Sequence, residues 1–272
     1  MTPATPVRET VLPATLALAI LALVGPVTTA QDGPPKPAAQ ASDSDKIQLL
    51  NQQLEKQFLA ELDALPAPAA DAPAATAVDQ HSRRGDLQMY LARFADAETS
   101  YRRMVELDPS LDASHWRLGI ACFFADHPQA GADQFEKYHS FDSVDRENGI
   151  WRYFCHYRAS GKDAARKQLL RYDKDDRPPF REVYQLFQGT LSAEQVLKTA
   201  SAAAETTRSQ RLFYSHLYVG LNASLEDDRS TAISSLQQAT LNDWPRNAGY
   251  GPRYMWHVGR LELNRLKSTT KK

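Results

Sequence analysis

Only two cysteines occur in the 272 residues, which excludes a disulfide-stapled scaffold. Cys122 and Cys155 both fall on predicted helices where a small apolar residue would pack, so they are either two buried thiols or one bridge. Neither has an identifiable base that would make it a nucleophile. An excess of one charge is also missing, because 32 Lys and Arg face 33 Asp and Glu, a net charge of −1. Nucleic-acid binding is driven by clustered cations that release counterions, so this balance gives no reason to expect it. Lys267, Lys271 and Lys272 make a solvated end rather than a patch. Motifs of catalysis are lacking too: there is no Gly-x-Ser-x-Gly elbow, no Gly-rich loop ahead of Lys-Ser or Lys-Thr, and no His-Glu-x-x-His. The seven histidines include no pair three or four residues apart, so a helix-borne zinc site lacks its geometry. His81, His115, His127 and His139 are expected in turns or at the surface, and His156 and His216 packed on helices. An active site would have only Glu147, His156 and Arg158 to work with, so neither an enzyme nor a cofactor is expected.

What the sequence does have is a repeat. Gly85, Ala97, Tyr101 and Pro109 recur 34 residues later as Gly119, Gly131, Phe135 and Ser143. A third, decayed copy carries Tyr153, Ala165 and Leu169 in the first three slots. Such a period predicts stacked helix-turn-helix units. Gly85 and Gly119 would let the first helix of a pair lie close to the second, where Ala97 or Gly131 sits at the same crossing. Larger side chains there would push the axes beyond about 8–10 Å. Tyr101 and Phe135 would cover that contact from the same face. Pro109 ends the second helix, since it lacks an N–H and disfavours helical geometry in Asp108. Gly220, Ala232, Leu236 and Ala239 restore the pattern of Gly119, Gly131, Phe135 and Tyr138 further along.

In chain order, residues 1–30 read as an export signal. The apolar run from Val11 to Val24 is too short to span a bilayer comfortably, and Thr28, Thr29 and Ala30 place small residues before Gln31. The segment is either cleaved after Ala30 or kept as an anchor. Residues 31–77 are proline- and alanine-rich spacers around one amphipathic helix, 46–65. Its stripe is Ile47, Leu50, Leu54, Phe58, Leu62 and Leu65. An isolated helix of this length is marginal in water, so the stripe must dock. Its partner is either the protein's own repeats, as a cap, or a second copy, giving a homodimer. The helical domain spans 78–267, with clear units at 78–111, 112–145 and 213–246, irregular ones at 146–178 and 180–205, and a final helix at 251–266. Asp145 suits the start of the third unit's first helix. Ser192 with Gln195 predicts a capping box opening the second helix of the fourth, and Ala164 to Tyr172 is expected as a returning helix.

The run Gly85…Phe94…Ala97…Tyr101…Glu106-Leu107-Asp108-Pro109, with Trp116-Arg117-Leu118-Gly119…Phe135-Glu136-Lys137-Tyr138, resembles tetratricopeptide repeats. Their position 27, usually small, here holds Met104 and Tyr138, which bears on packing between repeats. The order of units, Asn148-Gly149-Ile150-Trp151-Arg152-Tyr153 and the closing Arg253-Tyr254 helix are similar to the NlpI-like adaptors of the Gram-negative envelope. Those adaptors are lipoproteins as a group, but no cysteine precedes Cys122 here, so acylation is not expected. The resemblance implies an all-α solenoid, exported to the periplasm or its membrane face, that holds other envelope proteins, such as proteases and peptidoglycan enzymes. It also implies a concave face lined by Ala113, Trp116, Ile120, Phe123 and Phe124, and by Glu147, Ile150, Phe154, Tyr157 and Arg158. The apolar residues would anchor a partner segment, with Glu147 and Arg158 at the rim, unless the protein's own helices cover them. The alternative role is a structural protein that self-assembles through the 46–65 helix.

Overall fold

The structure is a computed structural model that describes residues 42–69 and 71–268. The expected export signal and the first spacer, up to residue 41, lie outside the described residues. Among the described residues there are thirteen α-helices and no strand. These are α1 (Asp43–Ala64), α2 (Ala74–Tyr90), α3 (Phe94–Leu107), α4 (Trp116–Phe124), α5 (Pro128–Phe141), α6 (Arg146–Ser160), α7 (Lys162–Lys167), α8 (Phe180–Gln188), α9 (Ala193–Ser201), α10 (Glu205–Leu225), α11 (Arg229–Leu241), α12 (Trp244–Asn247) and α13 (Tyr250–Ser268). The fold is all-α.

Local chemistry sets the helix starts. Ser42 and Asp45 form a reciprocal capping box on α1, as Ser192 and Gln195 do on α9. Asp145 caps α6 by accepting from the Glu147 N–H at 2.9 Å. Asp108 caps the short 3-10 turn that Pro109 opens after α3.

Helices close in sequence pack on each other from α2 through α7 and again from α8 through α11. Glycines permit the tightest approaches. A Cβ on Gly85 would lie 2.5 Å from the Tyr101 ring, and one on Gly119 would lie 2.6 Å from Phe135. Gly220 faces Leu236 in the same way, at 2.6 Å. Tyr101, Phe135 and Leu236 are each fully buried.

Two elements depart from the sequence expectation. The helix expected over 164–172 stops at Lys167 in α7. Arg152 Nη1 donates to the Gln168 carbonyl at 2.5 Å, the group that the Tyr172 N–H would take in a helix running to 172, while Tyr184 Oη holds the Leu170 carbonyl of the irregular segment beyond at 2.9 Å. At the other end, α2 begins at Ala74, inside the segment expected to be spacer.

The terminal helices close the array. α13 packs on α11, α10 and α12 and also reaches α2 at the start of the repeats. α1 lies on α2 and α13, burying Ile47, Phe58 and Leu62, with Leu50 and Leu54 half-buried. The Phe58 ring sits 5.2 Å from Tyr90 and 5.3 Å from His257. Asn51 donates to Asn264 at 2.6 Å and accepts from Arg260 at 3.1 Å. Within one chain, then, the stripe of α1 is covered by the protein itself.

Candidate binding cleft

The eight expected partner-binding residues on α4 and α6 are seven apolar anchors and Arg158, and the protein's own helices cover half of them. Ile120, Phe123, Ile150 and Phe154 are buried. Phe154 packs between Phe187 of α8 (5.4 Å) and Tyr218 of α10 (6.3 Å), while Phe123 meets Trp151 edge-on at 5.6 Å. Trp116, Phe124, Tyr157 and Arg158 stay half-exposed. Trp116 meets Tyr254 of α13 edge-on at 5.0 Å, and Phe124 stacks on Phe94 at 5.0 Å. These contacts come from α3, α6, α8, α10 and α13 rather than from α1.

The two expected rim charges turn inward. Arg158 donates to the Phe123 carbonyl at 2.6 Å, with its guanidinium 3.9 Å from the centre of the Phe123 ring. Glu147 accepts from Tyr218 Oη and pairs with Arg177. Burial pushes the Glu147 carboxyl up to about 7, with Asp145 and Asp176 adding to the rise and Arg177 opposing it. His115, expected in a turn or at the surface, is in a turn but buried. Its Nδ1 accepts from the Leu118 N–H at 3.3 Å, and burial lowers its pKa to about 3.

What stays open is a cleft of about 460 Å³ between α4, α5 and α6 on one side and α10, α12 and α13 on the other. Trp116, Tyr138, Tyr214, Trp244 and Met255 give it apolar walls, and Asp142, Asp145, Glu147 and Arg177 a charged one. Asp142 holds its loop by accepting from the N–H groups of Val144 (2.9 Å) and Asp145 (3.2 Å). Arg177 pairs with Asp145 at 3.3 Å and Asp176 at 3.2 Å. Asn148 donates to the Phe135 carbonyl at 3.2 Å, which leaves its buried Oδ1 without a partner. One turn beyond Tyr138, Phe141 is 64% exposed, its ring 5.8 Å from that tyrosine. An arrangement of aromatic walls with one charged side suits an apolar side chain flanked by polar groups.

Of the sequence-predicted anchors, only Trp116 and Ile120 line this cleft. Arg177, Tyr214 and Trp244 were missed because they come from three distant segments with no shared motif. Tyr138 did carry a signal, as a bulky residue in a slot expected to be small.

Cys122 and Cys155 are buried free thiols on either side of Gly131, whose added Cβ would lie 2.7 Å from Cys155 Sγ and 3.5 Å from Cys122 Cβ. Burial pushes the Cys122 thiol up to about 12. Among the described residues, no group of three or more His, Cys, Asp or Glu is placed to hold a metal ion, and no helix is long and apolar enough to cross a membrane. No protein-family model matches the chain.

Proposed function

We propose that this protein is a non-catalytic interaction adaptor, built on tetratricopeptide-type repeats of the NlpI-like kind and exported to the bacterial envelope. There it holds other envelope proteins, proteases or peptidoglycan enzymes among them, against its aromatic cleft. The observation that carries this role is the surface left open after the array has covered itself: Trp116 and Tyr138 line the cleft, and Phe141 stands 64% exposed beside them. Exposed aromatic clusters of this kind are the usual anchors of protein interfaces. The test is a pull-down from Gram-negative envelope extract with the wild-type chain and a Tyr138→Ser, Phe141→Ser double variant. Specific proteins retained by the wild type and lost by the variant are expected. Recovery of no specific protein by the wild type would overturn the role.

A second role, self-assembly, is favoured by one observation: Leu49 on the outer side of docked α1 is 57% exposed. Light scattering over a dilution series distinguishes it, because a dimer that dissociates on Leu49→Asp would make α1 an assembly element. A mass that stays monomeric at all concentrations removes that role.

A further inference from the structure

A second cleft, of about 390 Å³, lies where the start of α6 meets α8 and the irregular segment 168–179. Arg146 opens α6 and is only 7% exposed. Its guanidinium carbon sits 5.2 Å from the centre of the Tyr172 ring, and its buried Nη1 has no hydrogen-bond partner. Nη2 faces Asp175 Oδ1 at 3.7 Å, beyond hydrogen-bonding distance. The other oxygen of Asp175 faces Arg181 Nη1 at 3.3 Å. One carboxylate thus bridges two guanidinium groups, hydrogen-bonded to the exposed Arg181 but out of bonding reach of the buried Arg146. A buried cation so poorly paired is unfavourable, and a better-seated carboxylate would relieve it. Asp175 and Arg181 are both well exposed, so little holds the present arrangement shut.

We propose that this cleft binds a carboxylate side chain of a partner protein between Arg146 and Arg181, and that Asp175 is the chain's own occupant of that place, displaced on binding. The planar, two-oxygen geometry of Asp175 matches a carboxylate, which the paired guanidinium donors recognise. Asp173 also lines the cleft and disfavours a more highly charged anion such as phosphate. Gln185 and Gln188, on the same wall, supply amide donors and acceptors for the peptide backbone around the acidic residue. The inference rests on the adaptor role only for the source of the carboxylate.

The experiment is an NMR titration of the full chain, following the Arg146 and Arg181 Nε–H signals. The probes are a capped pentapeptide with a central aspartate, its asparagine counterpart, succinate and inorganic phosphate. The aspartyl peptide should move both arginine signals and the asparaginyl peptide neither. Asp175→Ala removes the internal competitor and should tighten binding by roughly threefold or more. Arg181→Ala removes an exposed donor and should weaken it by about tenfold. The gain on Asp175→Ala cannot come from a damaged fold. Equal binding of the asparaginyl peptide, unchanged affinity in Asp175→Ala, or tighter binding of phosphate would overturn the proposal. Succinate binding as tightly as the peptide would overturn the assignment to a partner segment. If the peptide binds while the envelope pull-down recovers nothing, the adaptor role fails and the carboxylate site stands; the reverse pattern removes the site alone.

Discussion

At the scale of the residue, the repeat depends on hydrogen atoms where other residues carry a methyl group. A Cβ on Gly119 would lie 2.6 Å from Cζ of Phe135, a ring with no room to withdraw because it is fully buried. Gly119→Ala is therefore expected to lose about 1–3 kcal/mol through overpacking, seen as a lower urea midpoint at unchanged slope. Gly161→Ala is the control: its φ of 84° strains a side chain, yet nothing lies within 4 Å of the added atom. With ψ at 171°, Gly161 lies in a backbone region that is nearly glycine-only, so the change should cost about 1–3 kcal/mol from strain alone. An unperturbed Gly119→Ala would mean the helices are not in the close contact described. Glu147 gives a second residue-scale prediction. Burial raises its pKa to about 7 in the folded chain, above its ordinary value of 4.5. The proton binds the folded state more tightly, so the stabilisation is complete below the ordinary value and is lost as pH rises through about 7. Glu147→Gln keeps a neutral acceptor for Tyr218 and leaves Arg177 its pairs with Asp145 and Asp176. The stability of the wild type relative to Glu147→Gln should fall by on the order of 1–3 kcal/mol between pH 4.5 and 7.5. Urea unfolding of both proteins across that range checks it, and the difference cancels the buried histidines, which titrate in the opposite sense. A flat difference would show that the ion pair with Arg177 outweighs burial.

At the scale of the element, α1 shows where sequence is informative and where it stops. Spacing alone places Ile47, Leu50, Leu54, Phe58 and Leu62 on one helical face, and the helix found, Asp43–Ala64, carries that stripe against the protein. Its docking surface was not legible, because Tyr90 and His257 are brought together only when α13 returns to α2, and no local pattern encodes that return. The same holds for the end of α7, past which Arg152 and Tyr184 take the carbonyls of Gln168 and Leu170, and for the cleft, whose Arg177 lies in an irregular segment and whose Trp244 follows a short one. Caps were legible because both partners lie within one turn, as at Ser192 and Gln195. The expected partner-binding face was half legible: the repeat positions name its residues, but whether they meet solvent depends on α10 and α13. Phe58 allows the docking of α1 to be tested as a local event. Its side chain is buried, and Phe58→Ala should lower the local stability of α1 by about 3 kcal/mol, the lower end of the range for buried aromatics. Hydrogen exchange followed by mass spectrometry should then show faster exchange in 43–64 with little change in α4 to α6. Acceleration spread evenly over the chain would mean that α1 is part of the cooperative core.

At the scale of the whole molecule, what matters is that the two ends of the array meet. A stack of helical repeats held by nearest neighbours alone can unfold from its ends, with stability close to a sum of local terms. Here α13 touches both α11 and α2, and α1 spans the join through Asn51, Asn264 and Arg260. Tyr254 is the centre of that closure: it is fully buried, its hydroxyl lies 3.3 Å from that of Tyr101, and its ring meets Trp116 at 5.0 Å. Tyr101 in turn donates to Asp86 at 2.7 Å, as does Tyr250 from α13. All but the Tyr101–Asp86 bond link residues more than a hundred positions apart, so they form only when the intervening helices are in place. The wild-type chain is therefore expected to unfold in urea in one transition, with far-UV circular dichroism and tryptophan fluorescence giving the same midpoint. Tyr254→Ala should remove about 3–5 kcal/mol and uncouple the ends. The two probes should then separate, with fluorescence changing first, because Trp116 and Trp256 sit at the join. If the probes still coincide in Tyr254→Ala, the helices cooperate through their neighbours alone, and the return of α13 serves to cover Trp116 rather than to hold the two ends together.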